Sequence, residues 1–124
     1  MSKSSCHIFL LFLLVVILSS CSNPNCSELP YSFESYENAI ERIQGSTYEY
    51  SDNFTASESS WINSFEYFSC DGVTGYLIMH TGGREYLHSN VPIEIWLELM
   101  DSDSKGEFYN SNLRGKFQME TNSD

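Results

Sequence analysis

Positive charge is what this 124-residue chain has least of: six Lys and Arg stand against 17 Asp and Glu, a formal net charge of −11. So negative a surface repels phosphate backbones and anionic headgroups, which argues against nucleic acid as a partner. Long apolar runs are missing too. The longest is "IFLLFLLVVIL", Ile8 to Leu18, about half the roughly 20 residues that a membrane-spanning helix needs. Four cysteines and three histidines form no CxxC or HxxxH pair, so zinc lacks its ligand spacing. Asp101-Ser102-Asp103 with Glu107 lacks the alternating ligands and glycine-centred turn of a calcium loop. There is no phosphate-loop motif, no GxSxG and no serine triad. No metal or cofactor is expected, and the length bounds the chain to one small domain.

What is there begins with the N-terminus. Lys3 precedes the apolar run, which has the length of a signal-peptide core, and "LSSC", Leu18 to Cys21, follows it. This resembles the lipobox of bacterial lipoproteins, an aliphatic residue and two small ones before the cysteine that receives lipid. Small residues give a peptidase access to the bond before Cys21. Acyl chains on its thiol, at ~0.8 kcal/mol per buried CH₂, would then hold the domain on a membrane. The alternatives are a secretory signal with a coincidental cysteine, or an uncleaved anchor. The resemblance implies a cell-envelope protein that faces the periplasm or the exterior, and separately a monomer is expected. Ser22 stands where some lipoproteins carry an inner-membrane retention aspartate, which favours the outer membrane. Processing would discard Cys6 and leave 17 acidic residues against five basic ones, a net charge of about −12.

Cys26 and Cys70 then remain, an even pair that invites a disulfide in an oxidising compartment. Two unpaired thiols are the alternative.

Composition divides the chain into a signal peptide (1–20), a polar tether (21–31), an N-terminal helix with an extended segment (32–58), a folded unit (59–119) and a disordered tail (120–124). Tyr36, Ala39, Ile40 and Ile43 recur at helical spacing, with Ser32 or Ser35 as N-cap and Gly45 as the stop. "STYEYSDNF" offers an edge strand, and its Asn53-Phe54-Thr55 sequon is discounted in a bacterial context. Strands are expected from Ser59 to about Cys70, over "YLIMHT" and over "REYLHS", with Gly82-Gly83 as a tight hairpin turn. As a two-residue turn it sets His80 opposite Glu85 and His88 opposite Leu77, whereas a bulged turn would shift that register. A helix follows from Pro92, its core stripe Ile93, Trp96, Leu97 and Met100, with Gly106 ending it. The fold class is α+β. A three-stranded antiparallel meander, with one further edge strand as an option, is packed by a C-terminal helix and accompanied by the short N-terminal one.

From Ser59 to Met119 the order "SSWI", hairpin, "YLH", "VPIEIW" and "SKGEFYNSNLRGKF" resembles the lysyl-tRNA synthetase C-terminal domain, the KTSC domain. Where that family usually carries Tyr-x-Tyr, this chain has Tyr86-Leu87-His88. The resemblance implies a compact module of about 60 residues without an established activity, for which RNA binding has been suggested. Eight acidic and four basic residues over this stretch oppose that suggestion. Lys105, Arg114 and Lys116 in the closing segment look like an anion-docking strip in isolation. Beside Asp101, Asp103 and Glu107 they read as part of a fold-closing clasp, with Phe108, Tyr109, Leu113 and Phe117 returning to the core and Gly115 turning the chain.

Ten aromatics crowd these 60 residues, and any surplus left on the surface would mark a partner site. The candidate interaction surface is Arg84, Tyr86, His88, Tyr109, Arg114 and Lys116, and the expected function is non-catalytic binding of a protein, peptide or glycan. One alternative is a thiol-dependent hydrolase or transferase using Cys70 with His80 or His88. The other is an RNA-binding module.

Overall fold

In the computed structural model residues 22–119 and Thr121 are described. The signal peptide, the lipidation of Cys21 and the 120–124 tail apart from Thr121 therefore lie outside the described residues. Four antiparallel strands neighbour one another in chain order: β1 (Tyr50–Thr55), β2 (Ile62–Ser69), β3 (Thr74–Thr81) and β4 (Glu85–Pro92). The sheet thus has four strands rather than three, because the edge strand offered by "STYEYSDNF" forms, over Tyr50–Thr55. Its two inner hairpins follow from turn chemistry. The Asp71 carboxylate accepts from the Val73 and Thr74 amides at 2.9 and 3.0 Å, an Asx turn between β2 and β3. Gly82-Gly83 spans β3 to β4, with the Thr81 amide donating to the Arg84 carbonyl at 2.9 Å. The resulting register pairs His80 with Glu85 and Leu77 with His88.

Alternation along the strands sorts two apolar clusters onto opposite faces. Phe65, Tyr67, Leu77, Met79 and Val91 belong to one; Ile78 and Leu87 to the other. Helix α1 (Tyr36–Gln44) covers the second face with Ala39, Ile40 and Ile43. Ser35 caps it, accepting from the Asn38 amide at 3.1 Å, and Gly45 ends it. Helices α2 (Ile93–Asp101) and α3 (Lys105–Asn112) cover the first face. Trp96 is fully buried there, stacked on Tyr67 with ring centroids 5.3 Å apart and planes 13° from parallel. Gly75 lets β3 lie close against β2 at the point where its pairing with β4 bulges: a Cβ there would sit 2.3 Å from the Phe68 carbonyl oxygen.

Several sequence expectations need correction. The single C-terminal helix is two. Ser102 stops α2, its hydroxyl donating to the Leu99 carbonyl at 2.7 Å, and Ser104 caps α3, accepting from the Glu107 amide. Two serine caps override Gly106, which lies inside α3 rather than ending a helix. Pro92 is the last residue of β4 and the N-cap of α2, not its first helical residue. The buried stripe of α2 is Trp96 and Leu99, while Leu97 and Met100 are exposed. Apolar residues ring much of this helix, so spacing alone cannot choose the inner face; the Trp96–Tyr67 stack does.

The tether is pinned rather than loose. Cys26–Glu28 form a 3-10 turn, Asn25 bridges Thr47, and the Cys26 amide donates to the Thr47 carbonyl at 3.0 Å. Thr47 in turn donates to the Pro24 carbonyl at 2.9 Å. Cys26 and Cys70 are joined by a disulfide, their Cα atoms 5.8 Å apart. At the other terminus, Gly115 (φ 73°) and Phe117 (φ 58°) turn the chain back onto β4, where the Ser89 amide donates to the Phe117 carbonyl at 2.8 Å. Among the described residues no helix is long and apolar enough to cross a membrane.

Candidate interaction groove

The hairpin turn at Gly82-Gly83 delivers Arg84 and, two residues on, Tyr86 to the face that α3 covers. Tyr86 lies opposite Met79 in the register. Tyr109 on α3 is buried above them, and Trp61, just before β2, meets it edge-on with centroids 6.0 Å apart. Together they wall a groove of about 390 Å³, with the amides of Asn110 and Gln118 and the guanidinium of Arg114 completing the rim. The Arg84 guanidinium sits over the Tyr86 ring at 5.9 Å, a cation–π contact that holds a flexible side chain in place. Trp61 is 42% exposed. It rests against α3 where Gly106 has no side chain; a Cβ there would come within 3.1 Å of the indole nitrogen.

Four of the six proposed surface residues, Arg84, Tyr86, Tyr109 and Arg114, therefore line one groove. His88 does not. It is buried beneath Tyr109, 2% exposed, with Nε2 3.1 Å from the Tyr109 hydroxyl and Nδ1 3.3 Å from the Lys116 carbonyl oxygen. A carbonyl only accepts, so Nδ1 carries the proton, and Nε2 accepts from the Tyr109 hydroxyl. Burial pushes the His88 pKa below its ordinary value and raises that of Tyr109 to about 12, so both are neutral near pH 7. Lys116 is also outside the groove, its ammonium donating to the Ser111 carbonyl at 3.0 Å.

The His88 shift has a measurable sign. The unfolded chain takes up a proton near pH 6.5 that the folded chain resists. Stability is full above that pH and falls as pH drops below it, by at most about 1.4 kcal/mol per pH unit, until the lowered folded pKa is reached. Urea unfolding at pH 7.5 and 5.5 should show this loss in the native chain and a smaller one in His88→Gln; equal losses would refute the assignment.

His80, the other histidine among the described residues, lies on the α1 face. His80 Nε2 is 2.6 Å from Glu66 Oε2 and its Nδ1 is 3.4 Å from Glu85 Oε1, while the Gln44 amide also donates to Glu66. A carboxylate on each ring nitrogen holds the imidazole between β2 and β4 without grouping ligands on one point. Among the described residues no three His, Cys, Asp or Glu side chains are placed to hold a metal ion. Cys70 follows the far end of β2, opposite the hairpin carrying His80 and Arg84, and its sulfur is bonded to Cys26.

Residues 58–117 match the family of the KTSC domain. This chain contains a KTSC domain. No curated protein and no solved structure matches the chain. The KTSC span holds β2 to β4, α2 and α3, and every groove residue except Gln118. The preceding segment supplies α1 over the open face and β1 along the open edge, and the Cys26–Cys70 disulfide ties it to the KTSC unit. Sequence reasoning does not single out the other four lining residues, Trp61, Met79, Asn110 and Gln118, as site residues. The sequence reading places Trp61 inside the expected strand with the core aromatics, whereas β2 begins one residue later, at Ile62, and leaves the indole half-exposed.

Proposed function

We propose that this chain is a non-catalytic, lipid-anchored interaction module of a bacterial cell envelope that holds its groove away from the membrane for a polypeptide partner. The observation that carries this reading is the composition of the groove. Trp61, Tyr86, Tyr109, Arg84 and Arg114 are the three residue types that dominate binding hot spots. The disulfide supports export, because such bonds persist in oxidising compartments. It also deprives the thiol-enzyme alternative of a free nucleophile.

Topology supports the orientation. Pro24 and Cys26 are fixed at the end of the sheet where β2 leaves for β3. Two residues, Ser22 and Asn23, separate Pro24 from Cys21, and three residue steps give a leash of about 11 Å at most. The groove lies at the opposite end of β3, which at ~3.3 Å per residue is roughly 26 Å away. Lipid on Cys21 would thus seat the disulfide end against the bilayer and turn the groove outward.

Two measurements test this. Cys21→Ala should move the protein from the membrane to the soluble fraction; continued membrane attachment would sink the anchor. A photo-crosslinking residue in place of Asn110, on the groove rim, should give a discrete adduct in intact cells that the same residue in place of Glu41 on α1 does not. Equal adducts from both positions, or none, would remove the groove from the account.

A further inference from the structure

Within that reading, we infer that the groove takes an acidic segment of its partner, a carboxylate side chain beside an apolar or aromatic one. The argument starts from how a cation-poor chain uses its cations. Lys105 donates to the carbonyls of Met100 and Ser102 at the end of α2, and Lys116 donates to Ser111. Both lysines are thus occupied in closing helix ends, where a positive charge offsets the helix dipole. Arg42 borders a cleft that Glu28 and Glu41 also line. Only Arg84 and Arg114 face a cavity that no Asp or Glu lines among the described residues, and neither forms an ion pair there.

Two unpaired guanidiniums in one groove of a chain with net charge −11 are a local inversion of the surface potential. Guanidinium forks bind carboxylates through two parallel hydrogen bonds. The rings of Trp61, Tyr86 and Tyr109 set an apolar wall beside those forks, and the Asn110 and Gln118 amides offer both donors and acceptors to a peptide backbone. A volume near 390 Å³ suits a few side chains rather than a folded surface. A nucleic acid would bring a row of phosphates against the negative remainder of the chain, whereas a short acidic segment brings one or two charges to the place prepared for them. Arg84 also rims the larger, open cavity at the hairpin tip, but Glu37 and Glu85 line that one.

The test uses the whole chain in detergent with its disulfide intact, reading the emission of exposed Trp61 against buried Trp96. A capped hexapeptide with two glutamates flanking a phenylalanine should produce a saturable shift, and bind about tenfold tighter than its glutamine counterpart. Arg84→Gln and Arg114→Gln should each weaken it about tenfold, a typical loss for a hot-spot contact. Arg42→Gln removes the same charge elsewhere and should change it less than twofold. Both groove arginines are exposed, so unchanged melting should accompany the loss. The proposal is overturned by equal binding of the two peptides, by no saturable shift with either, by octauridylate binding more tightly, or by all three arginine variants behaving alike. Adducts at the Asn110 position in cells alongside charge-blind peptide binding would leave the interaction module standing and remove only its acidic specificity.

Discussion

Opening the Cys26–Cys70 bond, through Cys70→Ala or by reduction, is expected to lower the unfolding free energy by about 4 kcal/mol. The bond closes a loop of 44 residues, for which the chain-entropy relation gives that figure. The other native contacts of this segment are few: the Asn25–Thr47 bridge, hydrogen bonds to Pro24 and Thr47, and Leu29 packed against the α1-face cluster. Without the bond, residues 22–29 would be held by these alone, and their amides should lose exchange protection first. Chemical denaturation of oxidised and reduced protein measures the difference. A loss under 1 kcal/mol would mean that the reduced denatured state already keeps Cys26 near Cys70, or that the N-terminal segment docks without help. A local consequence separates these cases. If the staple acts by holding the segment down, Cys26→Ala and Cys70→Ala should fall together, and the double variant should cost no more than either alone.

The same segment shows why parts of the fold were legible and others not. Helix α1 announced itself because a capping serine, an apolar spacing and a closing glycine all agreed, and Ala39, Ile40 and Ile43 are buried as that spacing required. The β3–β4 register from His80–Glu85 to Leu77–His88 followed from Gly82-Gly83, since a two-residue turn fixes those pairings until the bulge that sets Gly75 opposite Val91. The break between α2 and α3 was not legible from glycine alone. Gly106 is a strong stop signal, yet its place is set by Trp61 lying against it from 45 residues away. The inner face of α2 was hidden by an excess of apolar residues, and only the partner ring of Tyr67 decides it. The groove was half legible. Arg84, Tyr86, Tyr109 and Arg114 stood out by family likeness and aromatic surplus. His88 looked like a surface group because strand alternation does not reveal that the closing segment folds over it. Which of the ten aromatics would be left exposed depends on how two of them, Tyr67 and Trp96, fill the space between sheet and helices together with Phe54 of β1.

That filling makes Trp96 the position where a single side chain should matter most for the KTSC unit. Trp96→Ala is expected to cost about 3–5 kcal/mol, the range for removing a large buried aromatic. Trp96 is fully buried, stacks on Tyr67 and tilts against Phe54 at 5.7 Å. Its indole nitrogen donates to Asp52 at 3.2 Å. The ring therefore ties α2 to both β1 and β2, and its loss should loosen the edge strand before the central ones. Trp96→Phe keeps an aromatic in the stack and gives up the bond to Asp52, so it should cost roughly 1–2 kcal/mol. Thermal melting gives the ordering. For a domain of this size each kcal/mol corresponds to about 4–8 °C, and the alanine variant should melt some 15 °C or more below the native protein. Hydrogen exchange gives the place: the β1 amides paired with β2 should lose protection in Trp96→Ala while β3 keeps its own. Uniform loss across the sheet would mean that β1 is not a separable unit. A cost below 1 kcal/mol for the alanine would mean that Leu99 and Tyr67 close over the cavity, and the α2 face would then be set by Leu99 rather than by the stack.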